Sequence, residues 1–245
     1  MTVMEYALQE HKKAVIEAGY NEKNILGIFL YGSQNYGTNT PESDVDTKAI
    51  IVPSFQDLCL KTPVSAEIEL ENGEHCDIKD IREIVKNFKK QNINYLEILF
   101  TEFYWVNPIY EGIWNRFITY RNSIVNYDVN KCVQSISGQA IHTLKQGKTD
   151  GKKISNGLRL LDFLERYLSG VPYVDCLKAP MPELLKNLKM NTVTLPCNQL
   201  ADDLIERFEA LRQETYLQEI EKNRMDTLLD IIIMDAIKRG LEEEQ

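Results

Sequence analysis

The chain has 245 residues, 28 of them basic and 37 acidic, for a formal net charge of −9. That length is enough for one large domain or two small ones with a substantial core, and a hydrophobic share of 43% is that of a globular protein. The acidic balance speaks against a protein built to grip extended nucleic acid, since such affinity comes from a basic face neutralising phosphates, but it leaves room for a local basic pocket for one nucleotide or a folded RNA end.

Residues 3–19 read as a helix, with Tyr6, Ala7, Ala14, Val15 and Ala18 among its apolar positions, and His11 is expected on its charged, solvent-facing side. Ile25 to Tyr31 is a continuous apolar run that stops at Gly32, the pattern of a buried strand. A polar loop, Ser33 to Ser43, follows, and Asp44 to Val52 reads as the next strand, closed by Pro53. Residues 64–70 alternate apolar and polar, Asn72-Gly73 signals a hairpin turn, and residues 75–79 form the returning strand. Asp80 is a good N-cap, with Glu83 three residues on as in a capping box, and Ile81, Ile84, Val85 and Phe88 continue at helical spacing. Residues 93–100 and 109–120 read as further short helices around Trp105 and Trp114, with Phe103, Tyr104 and Trp105 expected in the core rather than as a base-stacking platform.

From about Asp128 the pattern is helical throughout. Helices are expected at 129–145, at 153–169 (ended by Gly170), around Leu204, Ile205, Phe208 and Leu211, and at 225–238, closed by Gly240. Pro172, Pro180, Pro182 and Pro196 punctuate the connections, and the tail 242–245 is expected to be solvated and frayed. The division this implies is a catalytic domain at 1–125 and a helical domain at 126–245, whose apolar helices could also serve a homodimer.

The chemistry concentrates in one stretch. Gly32 permits a sharp turn and a close approach to a ligand, and Ser33 adds a hydroxyl there. Asp44 and Asp46, two residues apart on the expected strand, place two carboxylates on one face. Two anions so placed repel unless a cation lies between them, and Mg²⁺ favours hard oxygen ligands of this kind. Asp-x-Asp alone is a weak signal. An apolar strand running into Gly-Ser, a polar loop, and Ser43-Asp44-Val45-Asp46 opening a second apolar strand is a specific one.

On these residues the chain resembles the DNA polymerase β-like nucleotidyltransferases, whose signature is Gly-Ser followed some ten residues later by Asp-x-Asp. The fuller pattern Tyr31-Gly32-Ser33, Tyr36-Gly37-Thr38, Ser43-Asp44-Val45-Asp46 is similar to a group of predicted nucleotidyltransferases from bacteria and phages, as are Asp77-Ile78-Lys79, the segment Asn92 to Phe100 with its Leu96-Glu97, and Lys153 and Arg159 before Leu160-Leu161. The resemblance covers roughly residues 25–170. It implies an α+β fold: a small mixed, palm-like β-sheet with flanking helices and an α-helical C-terminal half beside it.

The resemblance also implies the roles. Asp44, Asp46 and Asp77 would hold two Mg²⁺ ions, or Mn²⁺, with Asp77 helping to deprotonate the acceptor hydroxyl; its neighbours Glu74 and Asp80 compete for that third place. Gly32 and Ser33 would hold the β- and γ-phosphates of ATP or another NTP. Read apart from the resemblance, Tyr36 and Thr38 are candidates to line the nucleotide site or to pack the loop, and Lys153 and Arg159 to meet the triphosphate or the acceptor or to form a solvated helix face, with Lys152 assigned to solvent. His75 and His142 read as structural.

The acceptor is left open among a small molecule, a protein hydroxyl and an RNA end. A non-catalytic or partner-activated nucleotide-binding module, in phage–host conflict for instance, is the competing class, and the intact Gly-Ser and carboxylate set argues against it. No apolar run is long enough to span a membrane, and the start Met1–Tyr6 lacks a basic-then-apolar pattern, so a cytoplasmic protein without a secretory signal is expected. Cys59, Cys76, Cys132, Cys176 and Cys197 are far apart with no CxxC, which reads as free thiols.

Overall fold

The computed structural model describes residues 3–61, 64–191, 196–214 and 223–244. The first half is built on a five-stranded mixed sheet of β1 (Ile25–Tyr31), β2 (Asp46–Ile51), β3 (Ser65–Glu69), β4 (His75–Asp80) and β5 (Tyr104–Val106), in the order β3-β4-β2-β1-β5. β2 and β4 are parallel and the other pairs antiparallel. Every residue of β1 but Tyr31 is buried, which explains why it reads as a continuous apolar run: it is a strand covered on both faces.

One face of the sheet packs on α1 (Val3–Glu17), where Leu8 and Val15 meet Ile25, Ile28, Ala49, Ile51, Cys76 and Ile78. His11 belongs to this buried face, contrary to the expectation of a solvent position. It is 0% exposed and bridges Thr47 Oγ1 (Nδ1, 2.7 Å) and Glu74 Oε2 (Nε2, 3.0 Å). The reason is geometric: position 11 is three after Leu8 and four before Val15, so it lies on the apolar stripe, and its two polar partners make the burial tolerable.

The other face carries Phe29 and Ile50 against α4 (Ile81–Lys89) and α6 (Glu111–Val125), with the Phe29 and Trp114 ring centroids 4.1 Å apart. Asp80 caps α4 as expected, but its side chain accepts from the Arg82 N–H rather than forming the reciprocal box with Glu83. The expected helix 93–100 is α5 (Ile93–Leu96) and a 3₁₀ turn, and the segment around Trp105 is the edge strand β5. Being at the edge, Phe103 and Tyr104 are exposed rather than core (38% and 48%).

The second half is helical as expected. It comprises α7 (Val129–Gln146), α8 (Gly151–Leu168), α9 (Tyr173–Leu177), α10 (Pro182–Lys189), α11 (Cys197–Glu214) and α12 (Asn223–Glu244). The proline-punctuated connection thus contains two short helices, since Pro172 and Pro182 sit where helices begin and not where they break. Three further differences concern short or terminal elements. α2 (Ser33–Tyr36) occupies part of the segment expected as a polar loop, and α3 (Phe55–Leu60) a segment for which the sequence gives no element. α12 runs through Gly240, where an added Cβ would lie 2.8 Å from Val52 Cγ1, so that glycine marks close packing and not a helix end. The tail residues 242–244 are helical, with Glu244 accepting from Asn24 Nδ2 (3.2 Å) and the Phe55 N–H (3.2 Å), while Gln245 lies outside the described residues.

One hydrophobic cluster runs from Leu26 and Phe29 of the sheet through α7, α8 and α11 to Ala236 of α12. Among the described residues no helix is long and apolar enough to cross a membrane. The five cysteines are free thiols, three of them buried.

Candidate active site

β1 ends at Tyr31, and the chain then turns at Gly32 with φ +87° and ψ −150°, a conformation that side chains rarely adopt. The turn starts α2 and brings Ser33 into a cleft of about 850 Å³. A Cβ on Gly32 would lie 3.6 Å from Asp46 Oδ2, so the backbone, more than space, demands glycine here.

The N–H of Gly32 is not free. It donates to Glu97 Oε2 (3.0 Å), a carboxylate that is 0% exposed. Glu97 also accepts from Asn35 Nδ2 (3.2 Å) and from the Tyr36 hydroxyl (2.6 Å). Burial holds its carboxyl above the ordinary glutamate value, against the opposing pull of Tyr36, Gly32, Arg159 and Asn35. Glu97 is therefore the residue around which the Gly-Ser turn is built. In the sequence its one signal is its place in the resembling segment Asn92 to Phe100, since a lone glutamate among Ile93, Leu96, Ile98 and Leu99 reads equally as a surface position.

Asp46 opens β2, paired with Tyr31, and Asp44 lies two residues before it in the turn and not on the strand. Strand alternation therefore does not place the pair. Both nevertheless line the cleft, Asp44 exposed and Asp46 half-buried. Neither forms an ion pair among the described residues. Burial, and after it the Asp44 charge, raises the Asp46 carboxyl above its ordinary value. Two hard oxygen donors in that state fit a divalent cation.

Asp77 lies elsewhere on the same face. It is opposite Lys48 in the β2–β4 register, and it accepts from Lys48 Nζ (2.9 Å) and pairs with Lys79 Nζ (2.9 Å). Burial acts to raise its carboxyl, but the two lysines win and leave it below the ordinary value. Asp77 does not line the cleft. Among the described residues no group of three histidine, cysteine or acidic side chains converges as a ready-made metal cluster. Of the competitors for the third place, Glu74 is bound to His11 on the opposite side and Asp80 caps α4.

The facing wall of the cleft comes from the helical half, with Lys152, Lys153 and Arg159 of α8 and Lys189 at the end of α10. Arg159 is 5% exposed, its guanidinium stacked 3.8 Å over the Tyr36 ring, with Nη2 donating to Asn156 Oδ1 (2.9 Å). Its Nη1 is buried without a hydrogen-bond partner among the described residues, a costly state for a cation unless an anion enters. Lys189 Nζ donates to the Thr38 carbonyl (2.9 Å), and burial, then Lys152 and Arg159, lowers its pKa. Position 151 must be glycine for α10 to dock, since a Cβ there would lie 2.1 Å from the Leu188 carbonyl.

Thr38 and Tyr36 line the cleft too, though both are buried and Tyr36 is held by Glu97 on one side and Arg159 on the other. Of the residues singled out in the sequence, Ser33, Tyr36, Thr38, Asp44, Asp46, Lys153 and Arg159 thus share one cleft; Gly32 stands behind it and Asp77 apart from it. Lys152 joins the wall although it is exposed, and Lys189 carries no local sequence signal. His142, on α7, is exposed and lies within hydrogen-bond distance of Gln146 (2.9 Å).

Residues 8–99 match a family model described as Nucleotidyltransferase domain. No curated protein matches the chain.

Proposed function

We propose, from the premise that residues 8–99 are a nucleotidyltransferase domain of the polymerase β-like superfamily, that the chain transfers the AMP moiety of ATP to a hydroxyl acceptor and releases pyrophosphate. The observation that carries this reading is the division of one cleft into an acidic side, Asp44 and Asp46, and a cationic side centred on Arg159, whose Nη1 has no hydrogen-bond partner among the described residues. A nucleoside triphosphate needs both: carboxylates to hold a metal beside the reacting phosphate, and cations for the phosphates that leave.

Asp44 and Asp46 would hold Mg²⁺, with Asp77 as the third carboxylate of the proposed set. A divalent ion there would neutralise charge developing on the α-phosphate and favour the ionised acceptor. Ser33, at the Glu97-braced turn, and Arg159, Lys153 and Lys189 would orient the β- and γ-phosphates. The acceptor oxygen bonds to the α-phosphorus, the bond to the β-phosphate oxygen breaks, pyrophosphate takes the electron pair, and the acceptor proton passes to a base. Positioning and charge complementarity supply the acceleration. The functional division is the one read from the sequence, a catalytic part at 1–125 and a helical part at 126–245 that supplies the cations and faces the acceptor.

The direct test is calorimetric titration of ATP and the other NTPs with Mg²⁺, followed by a search for the acceptor with α-labelled nucleotide and detection of pyrophosphate. Metal-dependent binding with ATP preferred is expected. An absence of NTP binding under any divalent metal would remove the reading. One observation favours a second form of it, in which a partner or substrate must first activate the site: Asp77 is already engaged by Lys48 and Lys79.

Lys189 yields a separate expected result. Its lowered pKa means that it loses its proton earlier on alkalinisation than an ordinary lysine, whereas a bound phosphate would favour the charged form. ATP affinity should therefore fall with rising pH, the decline setting in below the ordinary lysine value of 10.5. Lys189→Met should weaken ATP by about tenfold at neutral pH, as the loss of one charge-assisted hydrogen bond implies, and should flatten that alkaline decline. Affinity of the variant that still followed the wild-type pH profile would exclude Lys189 from the phosphate site.

A further inference from the structure

Lys48 is an unusual feature of this site. It stands two residues after Asp46 on β2, only 3% exposed, with its ammonium 3.9 Å from the Tyr31 ring centroid and 4.3 Å from that of Tyr95. Cation–π contacts on two aromatic faces and a 2.9 Å bond to Asp77 hold it in place. Tyr95 bonds to Asp77 as well, and Lys79 pairs with its other oxygen. The register places Asp46, Lys48 and Asp77 on one face of the sheet, with Asp77 beside Lys48 and about 7 Å along the strand direction from the level of Asp46. The charge that a second divalent ion would bring to Asp77 is therefore already supplied by the chain.

We infer that Lys48 is an internal counter-cation that withholds Asp77 from metal, so that the nucleotide-free protein binds a single divalent ion, through Asp44 and Asp46. This rests on the nucleotidyl-transfer reading and deepens it: a second ion at Asp77 requires the Lys48 ammonium to leave its aromatic seat. A half-buried carboxylate already satisfied by two ammonium groups and a phenol gains little from a metal that must first displace one of them. Asp44 and Asp46, without an ion pair among the described residues and mutually repelling, gain much. Sheet position and side-chain geometry thus grade three carboxylates that a motif presents as equivalent.

The experiment is a Mn²⁺ titration of the full chain without nucleotide, with free Mn²⁺ followed by electron paramagnetic resonance. The proteins are wild type, Asp77→Asn, Lys48→Met, the double variant Lys48→Met/Asp77→Asn, and Asp44→Asn/Asp46→Asn. Wild type should bind one ion, and Asp77→Asn should keep its affinity within about twofold. Lys48→Met should gain a second ion, because Met fills the space between Tyr31 and Tyr95 while Lys79 and Tyr95 still hold Asp77. The double variant should return to one ion, and Asp44→Asn/Asp46→Asn should bind none.

Two ions on wild type, a tenfold or greater loss of affinity in Asp77→Asn, or a single ion on folded Lys48→Met would each overturn the role of Lys48 while leaving the nucleotidyl-transfer reading intact. If circular dichroism shows Lys48→Met to be unfolded, Lys48→Gln takes its place with the same two outcomes. Absence of any ion on wild type would instead overturn the metal site, and the proposed reaction with it.

Discussion

Replacing Asp44 and Asp46 together by alanine is expected to lower nucleotidyl transfer by about a thousandfold or more while making the protein slightly more stable. The loss follows from removing the two donors that would hold the metal: several kcal/mol of transition-state stabilisation, of which about 4 kcal/mol already corresponds to a thousandfold. The gain follows from the apo site. Asp44 is exposed and Asp46 half-buried, neither is ion-paired among the described residues, and the Asp46 carboxyl is raised by burial and by the Asp44 charge. A raised folded-state value means that ionising Asp46 costs stability as the pH climbs above its ordinary 3.8.

The double variant should therefore unfold at a higher temperature than wild type in chelator at neutral pH, by roughly 1–3 °C for a relief of about 0.5–1 kcal/mol. The difference should vanish on acidification below pH 3.8, where Asp46 is protonated folded or unfolded. Thermal scans with and without Mg²⁺, alongside the transfer assay, separate the two effects, because added Mg²⁺ should stabilise wild type alone. Full activity in the double variant would place the chemistry outside this cleft, and a marked loss of stability would show that the pair has a structural role.

The second large effect belongs to Glu97. Glu97→Ala removes a fully buried carboxylate that accepts from the Gly32 N–H, the Asn35 amide and the Tyr36 hydroxyl. It also deprives Arg159 of a nearby opposite charge. Breaking a buried charged network of this kind costs about 3–5 kcal/mol, or roughly 10 °C in Tm for a chain of this size. Glu97→Gln retains one acceptor and the side-chain volume, and should cost about 1–2 kcal/mol.

Both variants should weaken ATP binding at temperatures where they remain folded, because Ser33 is carried by the turn that Glu97 braces. Chemical denaturation and ATP titration of the two variants check the two parts independently. A Glu97→Ala protein within 1 kcal/mol of wild type would mean that water or a rearranged turn replaces the carboxylate.

Elements whose identity depends on near neighbours were readable from the chain. The apolar run of β1, the hairpin at Asn72-Gly73, the Asp80 cap and the stripes of α7, α8 and α11 all match the structure to within a few residues. The Gly-Ser and Asp-x-Asp motif carried the resemblance, and a nucleotidyltransferase-domain model matches residues 8–99 around it, because turn, spacing and carboxylates lie within fifteen consecutive positions. The short edge strand β5 and the helices α3, α9 and α10 were not readable, being too short for periodicity to register. His11 and Glu97 were misread or given no role for another reason. A buried polar residue interrupts the apolar pattern in the same way as a surface one, and only its partners reveal the difference.

By itself, then, the sequence determined the strands, the helical second half, the Gly32 turn and the two carboxylates that follow it, since each rests on backbone propensity or on spacing along a few residues, while the mixed sheet was implied by the resemblance. Only the tertiary structure decided that Glu97 closes on Gly32 from 65 positions away, that Lys189 reaches Thr38 across 151, and that Asp77 faces Lys48 and not Asp46. Those choices rest on strand register, on the docking of α10 against Gly151, and on which buried charge finds a partner. They are free-energy balances between distant groups, and no local pattern encodes them.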